Sequence, residues 1–229
     1  MCEMKDSAEF QEKMDLRKEK LQGKSIKEVG IFWPYILIPI HLITLKPLLF
    51  YLKTVIIEFF LLQFKVKWGW KKTAIAQVAD VIDEGIPFLP EKSDTYLDFI
   101  NFWIRSLNFT VLRLGRKKAL PHLAGFMAAI GTAYHEAARV YKIRMSTTPR
   151  PPAGNHKNMK TIHRLDPHLL CVPSLHVGVV VLTHTFFTAV FRQEGLCQKE
   201  QEQYGKELWE GAVEIAETVL YVKQHSVNC

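Results

Sequence analysis

The chain is poor in cysteine: Cys2, Cys171, Cys197 and Cys229 lie far apart and form no C-x-x-C pair. That spacing indicates neither a zinc knuckle nor a disulfide framework, and free thiols are the plain reading. A secretory leader is also lacking. Residues 1–30, MCEMKDSAEFQEKMDLRKEKLQGKSIKEVG, are charged and mixed in sign, with no apolar core ahead of a small-residue cleavage site. There is no continuous basic tract either. The 30 Lys and Arg outnumber the 23 Asp and Glu, for a net charge of +7, but they alternate with apolar blocks. That alternation speaks against a nucleic-acid surface and for loops between membrane segments. Finally, the apolar segments are not clean. His41, Arg105, His135, Glu136, Glu214 and Glu217 sit inside them or at their edges. Such residues are expensive in a bilayer and should face a polar interior or a partner; a soluble bundle of buried helices is the alternative.

What is present is a succession of apolar blocks. Residues 31–64 are punctuated by Pro34, Pro39, Lys46, Pro47, Lys53 and Glu58. A helix crosses a bilayer with about 20 apolar residues, so this block reads as one crossing plus an interfacial piece, or as a tight hairpin. KVKWGWKK follows at 65–72, pairing cations with tryptophans as a membrane interface does. Ile75, Val78, Val81 and Ile82 have the spacing of an amphipathic helix, ended by Pro87 and Pro90. Segments 96–114 and 120–141 are separated by the basic turn GRKK, and the second is rich in small residues that suit close helix packing in lipid. A polar, basic loop then leads to an apolar run over 169–191, a hydrophilic connector, RQEGLCQKEQEQYGKE, and a final helix from Leu208.

The stretch CVPSLHVGVVVL places a Pro-Ser-x-His corner directly at the mouth of an apolar helix. Helix parity puts the basic loop and this corner on one side, the connector opposite, and the end of the last helix back on the first side. Arg150, His176 and His225 therefore share a face. Arg150 and Lys142 offer fixed positive charge, and Arg can hold two phosphate oxygens in a bidentate fork. Ser174 is a natural N-cap, which sets free backbone N–H groups and the positive end of the helix dipole beside His176. Two histidines that titrate near neutral pH can divide the roles of nucleophile and proton donor. These are the parts of a phosphoryl-transfer site that needs no metal.

The order of these motifs resembles the type 2 phosphatidic acid phosphatase superfamily, whose members carry K-x6-R-P, then P-S-G-H, then S-R-x5-H-x3-D. Here the first reads KIRMSTTPRP, with seven residues between Lys142 and Arg150, the second PSLH, and the third TVLYVKQHSVNC. PSLH and KQH look more like the branch of inositol-phosphorylceramide synthases and related bacterial enzymes. The resemblance covers roughly 86–229. It implies that His225 attacks phosphorus to form a phosphohistidine, that His176 protonates the leaving oxygen and later activates water or an alcohol, and that Arg150, Lys142 and Ser174 bind the phosphate. Val219 stands where the family has Arg, and Lys223, one helical turn on, is the candidate replacement. Cys229 stands where the family has Asp, and the family's further membrane helix is absent from the sequence.

The expectation is an all-α integral membrane bundle, a single domain over 31–229 after the charged segment 1–30, with its site at the membrane–water interface. The implied activity is cofactor-free hydrolysis of a lipid phosphate monoester or diphosphate, with phospholipid and membrane as partners, no nucleic acid, and an inner or plasma membrane location. A headgroup phosphotransferase and a catalytically impaired relative would carry the same residues.

Overall fold

The computed structural model describes residues 12–13, 15–21 and 23–229, so Cys2 and the expected absence of a leader over residues 1–11 lie outside the described residues. The apolar blocks become helices. Helix α1 (Phe32–Ile40) and helix α2 (Leu42–Lys53) meet at His41, whose extended backbone turns the chain by 102°. Thr44 Oγ1 lies 2.6 Å from the Ile38 carbonyl oxygen and 2.9 Å from that of His41, so one buried hydroxyl serves carbonyls freed by the bend. Helix α2 runs through a π-helical stretch, Thr54–Phe60, into α3 (Leu61–Lys67).

Residues 73–82 do not form the expected amphipathic helix. They contribute strand β1 (Ile75–Gln77) and then a single turn, α4 (Ile82–Gly85). β1 pairs in parallel with β2 (Met145–Thr147), in the register Ile75 to Met145, Ala76 to Ser146 and Gln77 to Thr147. The competing partner is a backbone edge far along the chain, which local periodicity cannot reveal. Apart from this small ladder and a single bridge from Ser146 to Leu170, the described regular structure is helical.

Helix α5 (Ser93–Leu97) abuts α6 (Phe99–Leu114), and Gly115, at φ 79°, breaks α6 from the long α7 (Arg116–Ile143). The basic loop carries α8 (Lys157–Leu165), and the apolar run becomes α9 (Leu175–Gln193). Helix α10 (Gln198–Tyr221) starts well before Leu208 and absorbs most of the expected connector. Its Gln, Glu and Lys residues are good helix formers, and Tyr204, Leu208, Ala212, Ile215 and Val219 repeat on one buried face.

α2 packs along α7, and α9 packs along α10. The seam between them is aromatic, with Phe109, Phe126, Phe187 and Phe191 at most 1% exposed; each contributes roughly 1.5–3 kcal/mol by burial. Arg113 and Glu200 tie α6 to α10 through a buried fork, Nε to Oε1 at 2.9 Å and Nη2 to Oε2 at 3.2 Å. The segment before α1 belongs to this body. Leu21, Ile26 and Val29 are buried in the core, and Glu207 accepts the Ile26 backbone N–H at 2.8 Å. Among the described residues, one helix, α9, is long and apolar enough to cross a membrane, and α1 with residues 42–67 passes that test only as a bent pair.

Candidate active site

The Pro-Ser-x-His corner is held from three directions. Ser146, fixed in β2, accepts the Cys171 N–H on its carbonyl at 3.2 Å and the Val172 N–H on its Oγ at 2.7 Å. Tyr141, fully buried near the end of α7, donates its hydroxyl to the Pro173 carbonyl at 2.5 Å. Ser174 then caps α9, its Oγ accepting the Val177 N–H at 3.4 Å, which is the capping role expected from the sequence. His176 lies in the first turn, between the rings of Tyr96 and Phe99 at centroid distances of 4.6 and 4.7 Å.

His225 reaches the same place from the other side of the chain. α10 ends at Tyr221, and Lys223 adopts a left-handed conformation, φ 54°, that reverses the backbone. The amides of Gln224 and His225 both return to the Val219 carbonyl, at 3.0 and 3.2 Å. This turn brings His225 Nε2 to 3.3 Å from His176 Nδ1. The other ring nitrogen, Nδ1, sits 3.0 Å from the Cys171 carbonyl oxygen. A carbonyl only accepts, so Nδ1 carries the hydrogen and a neutral His225 keeps its lone pair on Nε2, facing His176. A backbone oxygen thus orients the imidazole, the task a carboxylate performs in other triads.

Arg150 is also delivered to this site. Its Nη2 donates to Asp166 Oδ2 at 3.0 Å and to the Gln224 side-chain oxygen, and its Nη1 donates to the Asp166 carbonyl at 3.2 Å. Burial lowers its pKa, with the neighbouring Asp166 carboxylate acting in the opposite sense. Its Nε is buried with no hydrogen-bond partner among the described residues. Asp166 also accepts the His168 backbone N–H at 2.9 Å. Burial, with Arg150 and His225 nearby, pushes His168 down to about 3, so its ring is neutral near Thr148 Oγ1, 2.9 Å away.

Two expected phosphate ligands are engaged elsewhere. Lys142 Nζ bonds Glu58 at 2.9 Å, on the carboxylate that also binds His135 at 3.0 Å. Lys223 Nζ donates to the carbonyls of Asp83 and Ile86, both at 2.6 Å. The expectation that Lys223 replaces a missing Arg assumed that the helix continues through it; the left-handed turn takes it off that face. Val219 packs instead in a small buried cluster with Tyr96, Met159, Ile162 and Val222. Cys229 lies beside the nucleophile candidate. Its sulfur takes the Ser226 N–H at 3.2 Å, and the neighbouring Cys171 thiol lowers the pKa of Cys229 while its own is raised.

The two histidines open onto a cavity of about 320 Å3 whose walls are mostly aromatic and aliphatic. The structure therefore gathers Arg150, Ser174, His176 and His225 around one corner and leaves out Lys142 and Lys223. Sequence reasoning missed the Cys171 carbonyl, Gln224, Asp166 and Tyr141. Gln224 directly precedes His225 in KQH, so its position was a usable signal; a backbone carbonyl leaves none. Compared with protein-family models, curated proteins and solved structures, the chain matches none.

Proposed function

We propose that the protein is an integral membrane phosphatase that hydrolyses a lipid phosphate monoester or diphosphate without a metal, through a phosphohistidine on His225. The observation that carries this reading is the imidazole pair at the mouth of an apolar cavity, His176 Nδ1 to His225 Nε2 at 3.3 Å, with His225 Nδ1 committed to a backbone carbonyl. Among the described residues α9, which carries His176 in its first turn, is the helix long and apolar enough to cross a membrane, and that supports a site at the membrane boundary.

In this reading the phosphoryl group enters between the two rings and replaces their direct contact. His225 Nε2 forms the N–P bond while the P–O bond to the lipid breaks, and His176 gives its proton to the leaving oxygen. His176 then takes a proton from water as that water attacks phosphorus. The N–P bond breaks, phosphate leaves and His225 regains its lone pair. Arg150 and the N-terminal amides of α9 stabilise charge on the equatorial oxygens. Transfer to an alcohol uses the same residues, with the alcohol in place of water.

A second reading, a lipid-phosphate binder that does not turn over, is favoured by one observation. The Arg150 guanidinium is already held by Asp166 and Gln224, and the His225 lone pair is already covered by His176. Phosphate release from phosphatidic acid and from its single-chain analogue, measured in chelator for membranes carrying wild type, His176→Ala or His225→Ala, separates the two. Release lost in both variants, with an acid-labile phosphoprotein trapped in wild type alone, supports the enzyme. Binding without release or trapping, from protein verified in the membrane, leaves the binder.

A further inference from the structure

We infer that the cavity beside His176 and His225 is built for one hydrocarbon chain of about ten carbons, which makes the substrate class a single-chain lipid phosphate; this rests on the phosphoryl-transfer reading above. The first argument is volume. An apolar cavity of about 150 Å3 takes one benzene, six carbons, so a cavity of about 320 Å3 holds a chain of roughly ten to thirteen carbons. Two ordinary membrane-lipid chains need about three times that space.

The second argument is the entrance. Four of the residues lining the cavity, Phe60, Leu97, Ile100 and Leu165, are also among the exposed apolar side chains, at 43%, 44%, 52% and 56%. They form an apolar rim, so a chain can enter from a nonpolar phase along apolar side chains. Phe60 closes the π-helical stretch Thr54–Phe60, a local widening of the helix that turns Val55 and Phe59 to the same cavity.

The third argument is polar and independent of size. Tyr96 and Tyr134 line the cavity, each 8% exposed, and among the described residues neither hydroxyl has a hydrogen-bond partner. A hydroxyl that lines the cavity without a protein partner can donate to a ligand oxygen. The ring of Tyr96 lies against His176, so the oxygen it serves belongs to the first few carbons after the phosphate. A chain with an ester, ether or hydroxyl oxygen near its phosphate end meets both demands, apolar along its length and polar at its start.

Trp103 lines the cavity and reports on its occupant. The probes are two phosphonates that cannot be hydrolysed, one with a single ten-carbon chain brominated near its end, the other with two brominated sixteen-carbon chains. They are presented to the full-length protein in mixed micelles at equal bromine content, and Trp103→Phe supplies the background from the other tryptophans. Quenching assigned to Trp103 that is at least twofold greater with the single-chain probe is the expected result. Equal quenching by both probes, or none from Trp103, overturns the inference. A second variant, Val55→Phe, fills part of the cavity. It should shorten the preferred chain in a length series by about three carbons, and an unchanged preference overturns the inference as well. Phosphate release is scored separately. Single-chain quenching without release leaves the chain site standing and removes the phosphatase reading; release without Trp103 quenching does the reverse.

Discussion

Protonating His168 should cost the folded protein stability in mild acid, by an amount the structure sets. His168 is 6% exposed, and burial, with Arg150 and His225 close by, holds its pKa near 3 against an ordinary value of 6.5. The unfolded chain therefore binds a proton as the pH falls through 6.5, while the folded chain keeps this ring neutral until about 3. Because the folded value is the depressed one, the stability is fully present above 6.5 and is lost as the pH drops from there towards 3. At 1.36 kcal/mol for each unit of pKa, the loss reaches about 2 kcal/mol at about pH 5 and approaches about 5 kcal/mol near pH 3. The variant to compare is His168→Asn. Asn tolerates the left-handed backbone at this position, φ 61°, and presents a polar group to Thr148 without titrating. Unfolding free energies from denaturant titrations in mixed micelles, at about pH 7.5 and about pH 5, should fall about 2 kcal/mol further for wild type than for His168→Asn. Equal losses in the two proteins would refute the reasoning, because the acid sensitivity would then belong to other groups. The effect bears on the site: a charged His168 would sit beside Arg150 and against Cys171, whose sulfur is 3.8 Å from the His168 ring and whose carbonyl holds His225.

Lys223→Ala should lower stability by about 1.5–3 kcal/mol, the usual worth of hydrogen bonds to a charged group, because Nζ secures the carbonyls of Asp83 and Ile86. The inhibition constant for inorganic phosphate should stay within about twofold of wild type, and a tenfold rise would return Lys223 to the phosphate. Arg150→Lys should behave oppositely. An ammonium cannot reproduce a fork that spans Asp166 and Gln224, so phosphate inhibition should weaken at least about tenfold, or about 1.4 kcal/mol. Retention of wild-type inhibition by Arg150→Lys would show that Arg150 serves only to hold Asp166.

Local pattern carried much of this protein. Ser174 before an apolar run specifies its own cap, because the hydroxyl needs only the amide three residues later. The sharing of one corner by Arg150, His176 and His225 follows from how many long helices separate them, and it survived the loss of the helix expected over 73–82 and the lengthening of α10. Periodicity misled where the deciding partner was remote. Ile75 is spaced as if on a helix yet pairs with Met145, and a polar connector became helix because Tyr204 and Leu208 found a buried face.

Composition and spacing by themselves determined a helical chain, its N-capped corner and a pair of histidines able to meet. Tertiary structure alone decided which cations are available, since Glu58 lies far from Lys142 in sequence and 2.9 Å from it in space. It also decided which nitrogen of His225 keeps the lone pair, because that depends on where the Cys171 carbonyl points. Backbone direction and long-range ion pairing are set by how the helices pack, and neither leaves a mark in the order of the side chains.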